Sequence, residues 1–160
     1  PYGEYSLATE TLLQERGLFG LAQQSGAVDA RVARTRIPRF PLYQGRDDQL
    51  RLQRAVTTRA LPVLEEDPDA IVIPVDAEAP SQWRFKWGEG PFNAHQIACY
   101  AATGAALSTE LNDGWATVTL PAFKVGRNKI NCTAPSSDQL GGYFWSARLW
   151  LKLSSDGLPD

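Results

Sequence analysis

The sequence predicts an α+β chain: the end of an α/β unit over residues 1–64, followed by an antiparallel β-sandwich over residues 65–160. Three observations carry this. In the first third, apolar residues recur at helical spacing around one short apolar run. An acidic segment with two prolines, LPVLEEDPDA from Leu61 to Ala70, then interrupts the chain. Beyond it the pattern alternates with period two, and turn signals separate the runs. A length of 160 residues suits one ordinary domain, or a small domain plus a piece of another. With 43% hydrophobic and 21% charged residues, general disorder is excluded.

Taken in order, Ser6 caps a first helix, because its hydroxyl accepts from a free N–H of the first turn. Ala8, Leu12 and Leu13 give that helix its apolar stripe, and Arg16 and Gly17 close it. LFGLA, Leu18 to Ala22, is a nearly continuous apolar run and reads as a buried strand of a parallel sheet. IPRFPLYQ, Ile37 to Gln44, holds two prolines, so a strand there is short or at an edge. Asp47 or Asp48 caps a second helix with Leu50, Leu52, Ala55 and Val56 at its apolar positions, and Pro62 closes it. One good strand does not close a sheet, so this part reads as the end of a larger α/β fold.

After the break, strands are expected at Ala70–Val75, Gln82–Trp87, His95–Ala101, Trp115–Leu120 and Gly142–Leu153, with turns at GEGP, ATG, NDG and SSDQLGG. Trp83, Phe85 and Trp87 share one face and Gln82, Arg84 and Lys86 the other, so the aromatic face is assigned to the core. In the last strand Trp150 alternates with Arg148 and Lys152, opposite Tyr143, Trp145, Leu149 and Leu151. That parity makes Trp150 the tryptophan expected to be exposed or to face the first unit.

Composition excludes several function classes. A net charge of -2 gives no reason to expect nucleic-acid binding or a polybasic membrane surface. No apolar run approaches the roughly 20 residues of a membrane helix. The lone His95, with Cys99 and Cys132 far apart, does not make a closed zinc site. Methionine is absent and the opening stretch is no signal peptide, which reads as a chain whose start lies upstream of Pro1.

PYGEYS at the start, GLFGLAQQSGA, RIPRFPL, RNKINCTAPS and GGYFWSARLWL, in this order, resemble the closing part of the bacterial polysaccharide deacetylases, the NodB-homology carbohydrate esterases, with a β-rich domain behind the catalytic one. The resemblance implies a distorted β/α barrel and metal-assisted hydrolysis of N-acetyl groups on an amino-sugar polymer. It implies a divalent metal, usually zinc, polarising the amide carbonyl and activating water, held by motifs upstream of Pro1 and so absent from this chain. Tyr2 of Pro1-Tyr2-Gly3 is the catalytic residue it implies, its backbone N–H facing the oxyanion. Pro1 of the same turn is the implied substrate contact; Gln24, leaving an apolar run where barrel loops hold active sites, and Trp150, as the exposed tryptophan on which a sugar ring could stack, are the further candidates. AQQSGA stands where many relatives carry an Asp-Trp pair, and the later histidine motif has no match. The implied partners are an N-acetylated polysaccharide and the missing catalytic segment of the same protein. The implied compartment is periplasmic or extracellular, which favours a disulfide between Cys99 and Cys132, the whole cysteine complement. The alternative is a non-enzymatic carbohydrate-binding or structural β-sandwich module.

Overall fold

The computed structural model describes residues 3–41 and 48–155. Helix α1 runs Leu7–Glu15. Ser6 Oγ accepts from the Thr9 N–H at 3.2 Å, and the Thr9 hydroxyl accepts in return from the Ser6 N–H at 3.4 Å, a reciprocal box that satisfies two orphan donors. Arg16 follows as C-cap and Gly17 takes φ +62°, as the sequence indicates. Helix α2 covers Asp48–Thr57. Its expected cap Asp47 lies outside the described residues. It ends before Pro62 because the first strand begins at Arg59.

Residues 18–41 form an irregular arm. LFGLA is no buried strand: Leu21 makes a single parallel bridge to Ile37, and Leu18, Phe19 and Leu21 are exposed. The arm is nevertheless tightly folded. The Gly20 N–H donates to Arg34 O, Ala22 N–H to Ile37 O and Arg39 N–H to Gln24 O. A Cβ on Gly20 would lie 2.0 Å from the Thr35 carbonyl oxygen, so only glycine admits this approach. Among the described residues before Arg59 there are two helices and this bridge, with no layer of a β/α barrel.

From Arg59 onward the described residues form strands and one 3-10 turn, Ala94–Gln96, where the sequence reading began a strand. The strands are β1 (Arg59–Ala60), β2 (Val63–Asp67), β3 (Val72–Ile73), β4 (Gln82–Trp87), β5 (Ala98–Ala101), β6 (Ala106–Leu107), β7 (Thr109–Asn112), β8 (Trp115–Thr119), β9 (Gly126–Pro135) and β10 (Tyr143–Lys152). Among the described residues they make two sheets. One has the order β1-β10-β9-β5-β6 with β3 also on β10, and the other is β2-β4-β8-β7. The boundary drawn at residue 64/65 falls inside β2, and β1 already belongs to the first sheet.

The core lies between the sheets. Trp83 and Phe85 of β4 and Ala116 and Val118 of β8 face Cys99, Ile130, Cys132, Phe144 and Trp150 of the other sheet, all buried. The expected face of Gln82–Trp87 is observed: Gln82 and Arg84 are exposed, and Trp87 is half-buried against the core. Cys99 and Cys132 stand opposite each other on β5 and β9 and are joined by the disulfide the sequence proposed.

The segment Arg59–Ile73 links the sheets. It pairs in parallel with β10 at Phe144 and Trp145, crosses to form the β2 edge of the other sheet, and returns to pair with Leu151 and Lys152. Among the described residues, no strand therefore lies beside residues 146–150 on that edge of β10. The Leu61 N–H donates to Trp145 O at 3.0 Å and the Leu151 N–H to Ile71 O at 2.8 Å, so residues 145 and 151 point to this edge. Antiparallel alternation turns the N–H and C=O of Ala147 and Leu149 the same way.

Candidate functional site

A cleft of about 510 Å³ opens at this gap, between the arm and the first sheet. That size suits a small ligand. One wall includes Gln24 and Arg36 of the arm with Tyr5 from ahead of α1, and the other includes Trp145 and Arg148 of β10 with Glu66 of β2. Strand geometry places the last three. Glu66 lies opposite Phe85, so both share the inner face of their sheet. Arg148 is two residues from the core Trp150 on β10, which aims it between the sheets as well. Its Nη1 donates to Glu66 Oε2, and its Nη2 donates to the carbonyls of Asp69 and Ala70. Burial pushes the Arg148 pKa down, and the Glu66 carboxylate opposes that shift.

On the arm, the Gln24 Nε2 donates to the Tyr5 hydroxyl at 2.8 Å. Burial raises the Tyr5 pKa, and the bond from Gln24 opposes this. Arg36 Nε lies 3.5 Å from Glu10 Oε1, which also accepts from the Thr35 hydroxyl at 3.3 Å. Across the gap, Phe40 packs edge-on against Trp145 with centroids 5.7 Å apart, and Glu4 lies 3.7 Å from Arg127. Among the described residues, three buried polar atoms of the cleft lining have no hydrogen-bond partner: Gln24 Oε1, Trp145 Nε1 and Arg148 Nε.

Of the residues singled out by sequence, Gln24 lines this cleft and is buried. Pro1 and Tyr2 lie outside the described residues. Trp150 is a correction: it is fully buried, packed edge-on against Trp83 at 5.7 Å, and offers no surface for stacking a sugar. The parity of β10 was read the wrong way round because the strand is covered on both faces, by the core on the Phe144 and Trp150 side and by the arm at Trp145. Trp145, assigned to the core, is the half-buried tryptophan of the cleft. Arg148 and Glu66 were missed as a pair; a lone arginine in an otherwise apolar strand was the available signal. Among the described residues, no three His, Cys, Asp or Glu side chains are grouped to hold a metal ion.

No family model matches the chain. No curated protein matches it either. Among solved structures it is similar to the crystal structure of CopC from Methylosinus trichosporium OB3b, at 17% identity and a TM-score of 0.41, over 61% of this chain and 98% of that one. The expectation of a NodB-homology polysaccharide deacetylase, with its hydrolase activity, is therefore withdrawn: neither a family model nor a curated relative carries it, and no barrel layer precedes the sandwich among the described residues. The β-rich architecture and the disulfide stand.

Proposed function

We propose that the chain is a non-enzymatic β-sandwich module that binds a saccharide in the cleft between arm and sheet. The observation that carries this is the set of unpartnered buried atoms on cleft residues: one acceptor, Gln24 Oε1, and two donors, Trp145 Nε1 and Arg148 Nε. Buried polar groups ordinarily have partners, and where such atoms gather at a cleft, water or a ligand's groups can complete the bonding; the core indoles of Trp83 and Trp150 are unpartnered too, but lie away from the cleft. Sugar hydroxyls both donate and accept, and the acetamido group of an N-acetylated polysaccharide offers one of each. The Trp145 indole adds an apolar wall with a polar edge. Glu66 is held by Arg148, which suits a fixed binding wall better than a proton-transfer group.

A periplasmic or extracellular location belongs to this reading. The disulfide supports it, since oxidising compartments are where such bonds persist.

The test is a titration of isotopically labelled protein with short chitooligosaccharides, followed by amide chemical shifts. Shifts concentrated at Gln24, Trp145, Ala147 and Leu149 are expected. Saturable binding that moves other regions only, or an extended peptide binding the cleft in place of any saccharide, overturns the proposal.

A further inference from the structure

The charges around the cleft are tied in pairs. Arg31 Nε donates to Asp29 Oδ2 at 2.9 Å, and the Asp29 carboxylate also accepts from the Arg31 backbone N–H at 2.8 Å. Arg36 is paired with Glu10, Arg148 with Glu66, and Glu65 with Lys86 at 3.1 Å. The remaining lining carboxylate, Asp69, stands on the loop whose carbonyls hold Arg148. Both signs are thus present on the walls, and each cation already has its anion.

An ionic ligand group would be poorly served here. A carboxylate entering the cleft meets arginines already paired, Arg31 with Asp29, Arg36 with Glu10 and Arg148 with Glu66, and an ammonium meets carboxylates paired with Arg31, Lys86 and Arg148 and an Asp69 that lies in the field of the Arg148 guanidinium. Either would shed its hydration without gaining a counter-ion that stands clear of an opposing charge. The buried side-chain atoms of described cleft residues without a hydrogen-bond partner are Gln24 Oε1, Trp145 Nε1 and Arg148 Nε, and strand alternation turns the amides of Ala147 and Leu149 to the same edge. All but Arg148 Nε belong to uncharged groups, and the charge on Arg148 is already met by Glu66.

We propose that the cleft selects uncharged saccharides and rejects both uronate-bearing and free-amine sugars. This rests on the saccharide reading above and adds the chemical class. Selection of this kind comes as much from what the site penalises as from what it holds.

The experiment is calorimetric titration of the whole chain with four oligomers of equal length: cello-, N-acetylated chito-, fully de-N-acetylated chito- and galacturonate oligosaccharides, each at low and high salt. The two neutral oligomers are expected to bind at least about tenfold more tightly than the two ionic ones, with no change on adding salt. An ionic oligomer binding as tightly as the neutral ones, or affinity that falls steeply with salt, overturns the inference and leaves the saccharide reading standing. Binding of none overturns both. Two variants sharpen the outcome. Gln24→Leu, with its thermal midpoint checked, is expected to weaken neutral binding about tenfold. Asp29→Asn frees the guanidinium of Arg31 on an exposed turn and is expected to gain galacturonate binding; no gain counts against the paired-charge argument.

Discussion

Arg148 is the residue on which the interior of the molecule is most exposed to error. Its side chain is only 4% exposed, and its charge is met by Glu66 across the two sheets. Removing one partner of such a pair leaves a buried charge without compensation. Glu66→Ala is accordingly expected to lower unfolding stability by about 3–5 kcal/mol, measured by chemical denaturation. Replacing both residues with apolar ones of similar volume should cost much less, and that contrast separates charge burial from packing. At the surface, Asp138 accepts from Arg59 and from the Ser136 hydroxyl, and these bonds hold its pKa down at about 2. The folded value lies below the unfolded one, so its contribution is complete above the ordinary carboxylate range. It is lost as pH falls from about 4 towards about 2. Asp138→Asn should flatten that part of a plot of thermal midpoint against pH. The pair is exposed, so the change is small.

Strands differ in how openly they declare themselves. QWRFKW and WATVT alternate cleanly, because one face of each meets the core and the other meets solvent; both were legible. β10 was legible as a strand and misleading in its parity, since a strand covered on both sides carries apolar residues at both parities. β9 was not assigned as a strand, because its outward positions are Arg127, Asn131 and Thr133 beside inward residues as small as Cys132 and Ala134. The apolar run LFGLA misled in the opposite sense. It lies along the arm with Leu18, Phe19 and Leu21 in the open, and local composition carries no record of what stands over it. Among the elements that were read correctly, α1 offers a clean test. Ser6→Ala removes the acceptor of its capping box and should cost about 1 kcal/mol, seen as a lower denaturation midpoint. The turn from β7 to β8 holds Asp113 at φ +47° and Gly114 at φ +80°, the arrangement that the NDG signal announced. Gly114→Val should therefore cost more than the same change at an extended position.

At the scale of the whole molecule, the candidate site was only partly legible. Gln24 was named from its place beside an apolar run, but its neighbours Glu66, Trp145 and Arg148 are brought to it by a sheet edge that pattern reading does not see. The same long-range order sets stability. The disulfide joins positions 33 residues apart on β5 and β9. Replacing both cysteines by alanine should cost about 3–4 kcal/mol in the chain-entropy account. Trp150→Ala, which empties the centre of the core, should cost about 3–5 kcal/mol. Denaturation followed by tryptophan fluorescence and by far-ultraviolet dichroism is expected to give coincident curves, because both sheets share one core.

The path of Arg59–Ile73 has a practical corollary for anyone who wishes to graft a foreign loop onto this scaffold. A stretch that laces one sheet to the other has its length fixed at both anchorages, so added residues there would slacken the lacing and let the edge of β10 close or drift. The tip between β5 and β6 is different: Ala102, Thr103 and Gly104 are exposed, and the hairpin is already shut beneath them by the Ala101 N–H on Ala105 O. An insert between Thr103 and Gly104 is expected to leave the melting temperature nearly unchanged, whereas the same insert after Ala70 should lower it and abolish saccharide binding together.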